Sequence, residues 1–270
     1  MDQQTDRAKY LAWAKELAYD AGNIMLEHFT IGVHTEIKAD STPLTLADTA
    51  VNKLVVDRVT ASFPEHSVLG EEQSSLQANA QYTWVCDPID GTPMYAAGLP
   101  VNVFALALVE NDSGLPVVAV IYDPYMKRLY SAIKNEGAFV NDQRIQVSKT
   151  SQLSEATVST TSDRSEIVDP AAFKSEVAAH CHRTRAMGSV LYESMVVATG
   201  FFEAQVFIGS GAHDAAAAKL IVEEAGGKVT DLFGNEQRYD RNINGALISN
   251  GHVHDELVSI ARTCKKLSGI

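Results

Sequence analysis

The chain is poor in the features that mark secreted, membrane-spanning or nucleic-acid-binding proteins. Its three cysteines, Cys86, Cys181 and Cys264, are odd in number and widely spaced, with no CxxC pair to suggest a zinc or redox site. Free thiols are expected. Basic residues are scarce: 22 Lys and Arg stand against 34 Asp and Glu, a net charge of −12. A surface that negative repels nucleic-acid phosphates and anionic membranes, which excludes a general electrostatic binder of either. No apolar run reaches the about 18 residues needed to span a bilayer, and the polar start MDQQTDRAK offers no signal-peptide core. A cytoplasmic protein is expected. Repeats, low-complexity tracts and linkers rich in Pro, Gly or Ser are missing too, so the whole chain should fold.

What is present is enough apolar material for one large domain or two lobes sharing a core, 46% of 270 residues. Leu11, Ala14, Leu17, Ala18, Ala21, Ile24 and Met25 recur at helical spacing, as do Val51, Leu54 and Val55 before Pro64. Two amphipathic helices should therefore come first. Val68-Leu69, Thr83 to Cys86, Val103 to Val109, Val117 to Tyr122 and Leu129 to Ile133 are short β-rich runs punctuated by turn residues. Their close spacing suggests an antiparallel-rich sheet. From Asp169-Pro170, an N-cap followed by proline at the first helical position, helices and strands alternate to a last helix over Val253 to Leu267. The fold class is α/β (α+β). A single unit over 5–267 is expected, with sub-lobes of about 5–148 and 149–267.

Chemistry concentrates in three places. In Leu69-Gly70-Glu71-Glu72-Gln73 a strand ends in glycine and two carboxylates, a pattern common on loops without a metal. In Trp84-Val85-Cys86-Asp87-Pro88-Ile89-Asp90-Gly91-Thr92 a strand runs into two aspartates and a Gly-Thr turn. Pro88 biases Asp87 toward extended backbone, Gly91 permits a tight turn, and Thr92 could open a helix with outward-facing N–H groups. A capped turn, with Asp90 merely accepting backbone hydrogen bonds, is the competing reading. In Gly211-Ala212-His213-Asp214, followed by the alanines at 215–218, Asp214 stands where a helix begins and reads equally well as an N-cap. Carboxylates gathered in a partly dry cleft repel one another unless a cation compensates them. An oxygen-only set with no Cys or His cluster suits Mg2+, which commonly bridges protein carboxylates and substrate phosphate.

Taken in order, Asp87-Pro88-Ile89-Asp90-Gly91-Thr92, the preceding Gly70-Glu71-Glu72, and the following Asp214 with Glu224-Ala225-Gly226-Gly227 resemble the inositol monophosphatase family of lithium-sensitive, magnesium-dependent phosphatases. The resemblance spans nearly the whole chain. Thr42-Pro43-Leu44-Thr45-Leu46-Ala47-Asp48 is similar to its Thr-x-x-Asp segment, and Arg185-Ala186-Met187-Gly188-Ser189 to its Arg-x-x-Gly-Ser segment.

The resemblance implies a layered α/β/α/β/α sandwich, assembled as a homodimer, that hydrolyses a small soluble phosphomonoester. Glu71, Asp87 and the carbonyl of Ile89 would hold one Mg2+, Asp87, Asp90 and Asp214 a second, and Glu71 would also serve a third, weaker site. Thr92, bonded to Asp48, would polarise the attacking water, Glu71 acting with them. The amides of Gly91 and Thr92 would hold the phosphate, with Gly188, Ser189, Phe207, His213 and Asp214 toward the substrate; Glu72 would support rather than ligate. Departures from the family pattern are His213 where Trp is usual, Phe207 where an acidic residue contacts inositol hydroxyls, and Pro93 where Asn is common. Histidinol phosphate or a 3′-phosphoadenosine nucleotide are alternative substrates, and a non-catalytic regulatory protein on the same fold is the alternative of another class. Tyr95 is expected to pack.

Overall fold

The structure, a computed structural model, describes residues 3–32, 35–37, 43–161 and 164–266. Thr42 and Leu267, singled out in the sequence, lie outside these residues. Helix α1 (Gln3–His28) leads through a short hairpin, β1 (Thr35–Ile37) and β2 (Pro43–Thr45), into α2 (Leu46–Ser62). Seven strands follow: β3 (Ser67–Gly70), β4 (Tyr82–Asp90), β5 (Val103–Glu110), β6 (Leu115–Asp123), β7 (Arg128–Ile133), β8 (Gly137–Val140) and β9 (Gln143–Arg144), with the short helix α3 (Thr92–Ala96) after β4. They form one sheet in chain order, antiparallel except for the β3–β4 pair. The second sheet takes β10 (Thr157–Thr161), β11 (Arg183–Arg185), β12 (Ala204–Phe207), β13 (Lys228–Thr230) and β14 (Ala246–Ser249) in the order β11-β10-β12-β14-β13. Between these strands run α4 (Pro170–His180), α5 (Val190–Ala198) and α6 (Ala216–Glu224), and α7 (His254–Thr263) closes the chain.

Strand β5 shows why layers form. Val103, Ala105, Ala107 and Val109 enter one core while Phe104, Leu106 and Leu108 enter another, so the strand is apolar on both faces and needs a cover on each. Ala14, Leu17 and Ala21 of α1 and Val51 and Val55 of α2 cover the even face. On the odd face lie α5 and α6, whose other sides meet Phe207, Val229 and Ile248 of the second sheet. Phe173 and Val177 of α4 and Leu257 and Ala261 of α7 cover the far side of that sheet. The result is the expected α/β/α/β/α sandwich. Its middle helix layer sits between the sheets because the alanine run at 215–218 is buried throughout, allowing close packing.

Local expectations carry into the elements. Asp169 caps α4, accepting from the amides of Ala171 at 3.0 Å and Ala172 at 3.1 Å, with Pro170 in the first turn. Tyr95 is buried and donates to the carbonyl of Met25 at 2.7 Å, so it packs. The last helix is shorter than expected: it ends at Thr263, and Lys265 pairs with Val168 instead, the Lys266 amide reaching the Ile167 carbonyl at 3.0 Å. That pairing diverts the backbone from the helical bonding its side chains would allow. Among the described residues no helix is long and apolar enough to cross a membrane.

Candidate active site

The site is built on an irregularity in β4. Asp87 pairs with Ala105 and Asp90 with Val103, so three steps along β4 face two along β5. In a regular strand residues three apart point to opposite faces; one extra residue returns the second to the face of the first. Asp87 and Asp90 therefore lie on the same side as Val85, toward the middle helix layer, while Ile89 between them turns into the core on the other side. Pro88, which has no N–H to give to a ladder, stands within the irregular step. Gly91 then takes a left-handed φ of 89° and opens α3; a Cβ there would come within 2.9 Å of Ser189 Cβ and of the Val101 carbonyl. Only glycine fits.

Two more carboxylates approach from elsewhere. Glu71 follows β3, which runs parallel to β4, and its amide donates to the Cys86 carbonyl at 3.2 Å. Asn52 of α2 fixes this loop: its side chain accepts from the Glu72 amide at 3.2 Å and donates to the Gln73 carbonyl at 2.9 Å. Asp214 precedes α6, whose cap position is Ala215 rather than Asp214. Carboxylate oxygens of Asp87, Asp90 and Asp214 lie within 4.8 Å of one another, and so do ligand atoms of Glu71, Asp87 and His213. Asp87 belongs to both groups. It is 2% exposed, and its Oδ1 has no hydrogen-bond partner.

Thr92 and Asp48 stand beside this cluster. Thr92 Oγ1 lies 3.2 Å from Asp48 Oδ1 and 3.0 Å from the Ile89 carbonyl oxygen, so one hydroxyl proton is shared between two acceptors. Asp48 is fully buried and is the last residue of a capping box that Thr45 opens: its Oδ2 accepts from the Thr45 amide at 2.8 Å and the Thr45 hydroxyl at 2.5 Å. Burial raises the Asp48 carboxyl above its usual range, opposed by these bonds from Thr45.

The acids are held at an electrostatic cost. Burial pushes Asp87 well up, and the charges of Glu71, Asp90 and Asp214 push it further. Burial, then the Asp214 charge, raises Asp90 to about 7 against the opposing bonds it receives. Those bonds come from the start of α5: Ser189 Oγ donates to Asp90 Oδ2, the Val190 amide to Oδ1 at 3.1 Å and the Leu191 amide to Oδ2 at 2.7 Å. Asp90 does accept backbone hydrogen bonds, but from a helix N-terminus a hundred residues away and not from its own turn. That segment is fixed by Glu193, fully buried, whose carboxylate accepts from the amides of Met187 and Gly188 and the hydroxyls of Ser159 and Thr161. Ser189 thus contacts Asp90 directly and Gly188 is next to it in the chain, while Arg185 lies exposed on edge strand β11.

Asn52 and Glu193 are the residues that sequence reading passes over. Each lies on a helix with an apolar face, and a polar residue on such a helix looks like solvent-facing surface. The available signal was a carboxylate inside the largely apolar run Val190 to Ala198. His213 joins the cluster, its Nε2 3.5 Å from Asp214 Oδ2. Phe207 ends β12 and is only 6% exposed, packed in the middle layer.

A buried carboxylate oxygen without a donor, amid acids that raise one another's proton affinity, is a set of oxygen donors suited to a hard divalent cation. The sequence profile described as the inositol monophosphatase family matches residues 6–266. The chain belongs to the inositol monophosphatase family. Among its relatives it is 34% identical over 258 residues to a histidinol-phosphatase of Streptomyces coelicolor, covering 92% of this chain and 95% of that one. It is 32% identical over 224 residues to the Nus factor SuhB of Pasteurella multocida, covering 80% and 83%. The structure of the Thermotoga maritima IMPase superposes with a TM-score of 0.84 at 29% identity, covering 95% of this chain and 98% of that one. The layered fold is thus shared within the inositol monophosphatase family.

Proposed function

We propose that the protein hydrolyses a small phosphomonoester with Mg2+ as its resident cation. The observation that carries the reading is the orphaned Oδ1 of buried Asp87 at the junction of two ligand groups, with Thr92 and Asp48 alongside. Asp87, Asp90 and Asp214 would hold one ion, and Glu71, Asp87 and the carbonyl of Ile89 another. Bound Mg2+ supplies charge neutralisation and Lewis acidity toward phosphate and water. The chain's own groups do the positioning. Thr92 Oγ1 is placed to take hold of the attacking water, and Asp48 Oδ1, whose buried carboxyl has a raised proton affinity, orients that hydroxyl and receives a proton. As the water oxygen bonds to phosphorus it gives up a proton toward Asp48, the ester P–O bond breaks, and the leaving oxygen takes a proton from solvent to depart as the alcohol; the amides of Gly91 and Thr92 at the α3 turn would face the phosphate oxygens. Asp90 keeps the α5 end of the pocket in register with β4. The cytoplasmic location and the homodimer are part of the same family-based reading.

Inositol monophosphate is not expected to be the preferred substrate. Phe207 stands where the family pattern has an acid, and, packed in the core, it offers ring hydroxyls no acceptor; hydroxyls left unpaired cost roughly 1–3 kcal/mol each on desolvation. Histidinol phosphate is the specific second reading, favoured by the 34% identical histidinol-phosphatase. The SuhB relative raises a regulatory role, but a regulator has no use for four carboxylates held together with Thr92 and Asp48. Phosphate release from inositol monophosphate, histidinol phosphate and a 3′-phosphoadenosine nucleotide, measured with Mg2+ and with chelator, tests this. Highest kcat/KM on inositol monophosphate would overturn the substrate reading; release that ignores chelator would overturn the mechanism.

A further inference from the structure

The two ligand groups that share Asp87 differ in chemistry. Asp87, Asp90 and Asp214 offer only carboxylate oxygens, whereas Glu71 and Asp87 are joined by a ring nitrogen of His213, all within 4.8 Å. We propose that His213 is a metal ligand, and that this second group is a mixed nitrogen and oxygen site for a late first-row divalent transition cation beside an all-oxygen Mg2+ site. The proposal rests on the reading of the cluster as a metal centre and refines its second ion, the one given above to Glu71, Asp87 and the Ile89 carbonyl.

Three observations support it. Asp87, nine-tenths buried and more, presents an oxygen that no protein donor satisfies, so the group is aimed at a cation and not merely a patch of surface acids. The imidazole is also closely packed against the cluster. Its Nε2 lies 3.5 Å from Asp214 Oδ2, and a side chain at Gly211 would strike it: a Cβ there would stand 2.5 Å from Asp214 Oδ2 and 2.7 Å from His213 Cε1 and Nε2. That carboxylate belongs to the all-oxygen group, so the ring stands at the border of the two groups. Finally, the ring belongs to the group around Glu71 and Asp87, not to the all-oxygen group. Imidazole adds affinity for Fe2+, Co2+, Ni2+ and Zn2+, while Mg2+ keeps to oxygen. A Trp at position 213 would leave this site to oxygen ligands alone.

Co2+ is a suitable probe because protons of a coordinated imidazole are strongly shifted by it. The metal-free full chain is titrated with Co2+ and followed by proton NMR. In parallel, Co2+ and Mg2+ affinities are measured by calorimetry for wild type and His213→Gln. The expected result is one exchangeable imidazole N–H signal shifted far downfield in wild type and absent in the variant. Co2+ affinity should fall about tenfold or more, while Mg2+ affinity changes less than twofold. Diethyl pyrocarbonate mapping of the wild type reads the residue without relying on the variant's folding: Co2+ should protect His213 and Mg2+ should not. Co2+ binding with no shifted signal in wild type, a signal that survives in His213→Gln, or modification of His213 undiminished by Co2+ would each overturn the His213 ligand and leave the carboxylate site standing. Failure of both Co2+ and Mg2+ to bind would overturn the metal centre itself.

Discussion

Asp87 carries more of the account than any other residue, and its environment separates stability from function. It is buried, repelled by Glu71, Asp90 and Asp214, and has one oxygen without a donor. Asp87→Asn keeps the shape and removes the charge. The metal-free protein should become more stable by on the order of 1 kcal/mol, a rise in Tm of about 2–4 °C for a chain of this size. Its Tm should no longer respond to Mg2+, and turnover should fall roughly 10²-fold or more. A differential scanning experiment on both proteins, with and without Mg2+, checks this; a variant less stable than wild type when metal-free would contradict the repulsion. At this scale the sequence was most legible where a residue type has few ordinary uses at its position. Two aspartates around Pro-Ile before Gly-Thr are unusual, so their convergence with Glu71 and Asp214 could be anticipated. Asn52 could not, and Glu193 only as an odd carboxylate in an apolar run, because their worth lies in donors and acceptors contributed by distant loops.

The elements show the same division. Apolar periodicity marked α1, α2 and the strands of the first sheet, because burial on one or two faces leaves a period in the residues themselves. The extra residue in β4 left no period. Pro88 hinted at it, but only pairing with Val103 and Ala105 shows that both aspartates share a face. The α5 connection is equally silent in sequence: Asp90 and Glu193 fix the segment at 187–192 from opposite sides, one accepting from its helix start and the other from the loop before it. Glu193→Ala should therefore do two things. It leaves the Met187 and Gly188 amides and the Ser159 and Thr161 hydroxyls without their acceptor, costing about 2–4 kcal/mol in urea unfolding. By loosening the donors to Asp90 it should also weaken Mg2+ binding measured by calorimetry. A stability loss under about 1 kcal/mol, or one with unchanged Mg2+ affinity, would show that the segment does not depend on Glu193.

For the whole molecule, the site acids and a buried histidine pull the pH dependence in opposite directions. Asp90 is raised to about 7, so its contribution to metal-free stability is full below about pH 4 and is lost as pH rises through about 7; Asp87, raised well above its ordinary value, acts in the same direction. Mg2+ should accordingly raise Tm more at pH 8 than at pH 5, because the cation meets ionised ligands only at the higher pH. His254 behaves otherwise. Burial lowers it to about 4, its ring bonded to the hydroxyls of Thr230 at 2.9 Å and Ser249 at 2.8 Å. The unfolded chain takes up this proton first, so stability falls between about pH 6.5 and about 4, and His254→Gln should flatten that limb of a urea-midpoint profile. An Mg2+ effect on Tm that is equal at both pH values would contradict the coupled acids. The central claim, that the carboxylate cluster is a magnesium site serving phosphate-ester hydrolysis, is tested most directly by one titration. Protein stripped of metal is supplied with histidinol phosphate and increasing Mg2+, and phosphate release is followed alongside the Asp87→Asn variant. No release is expected before Mg2+ is added, a saturable rise with it, and a flat line for the variant; release by stripped wild type, or an equal rise in Asp87→Asn, would contradict a magnesium-dependent carboxylate site.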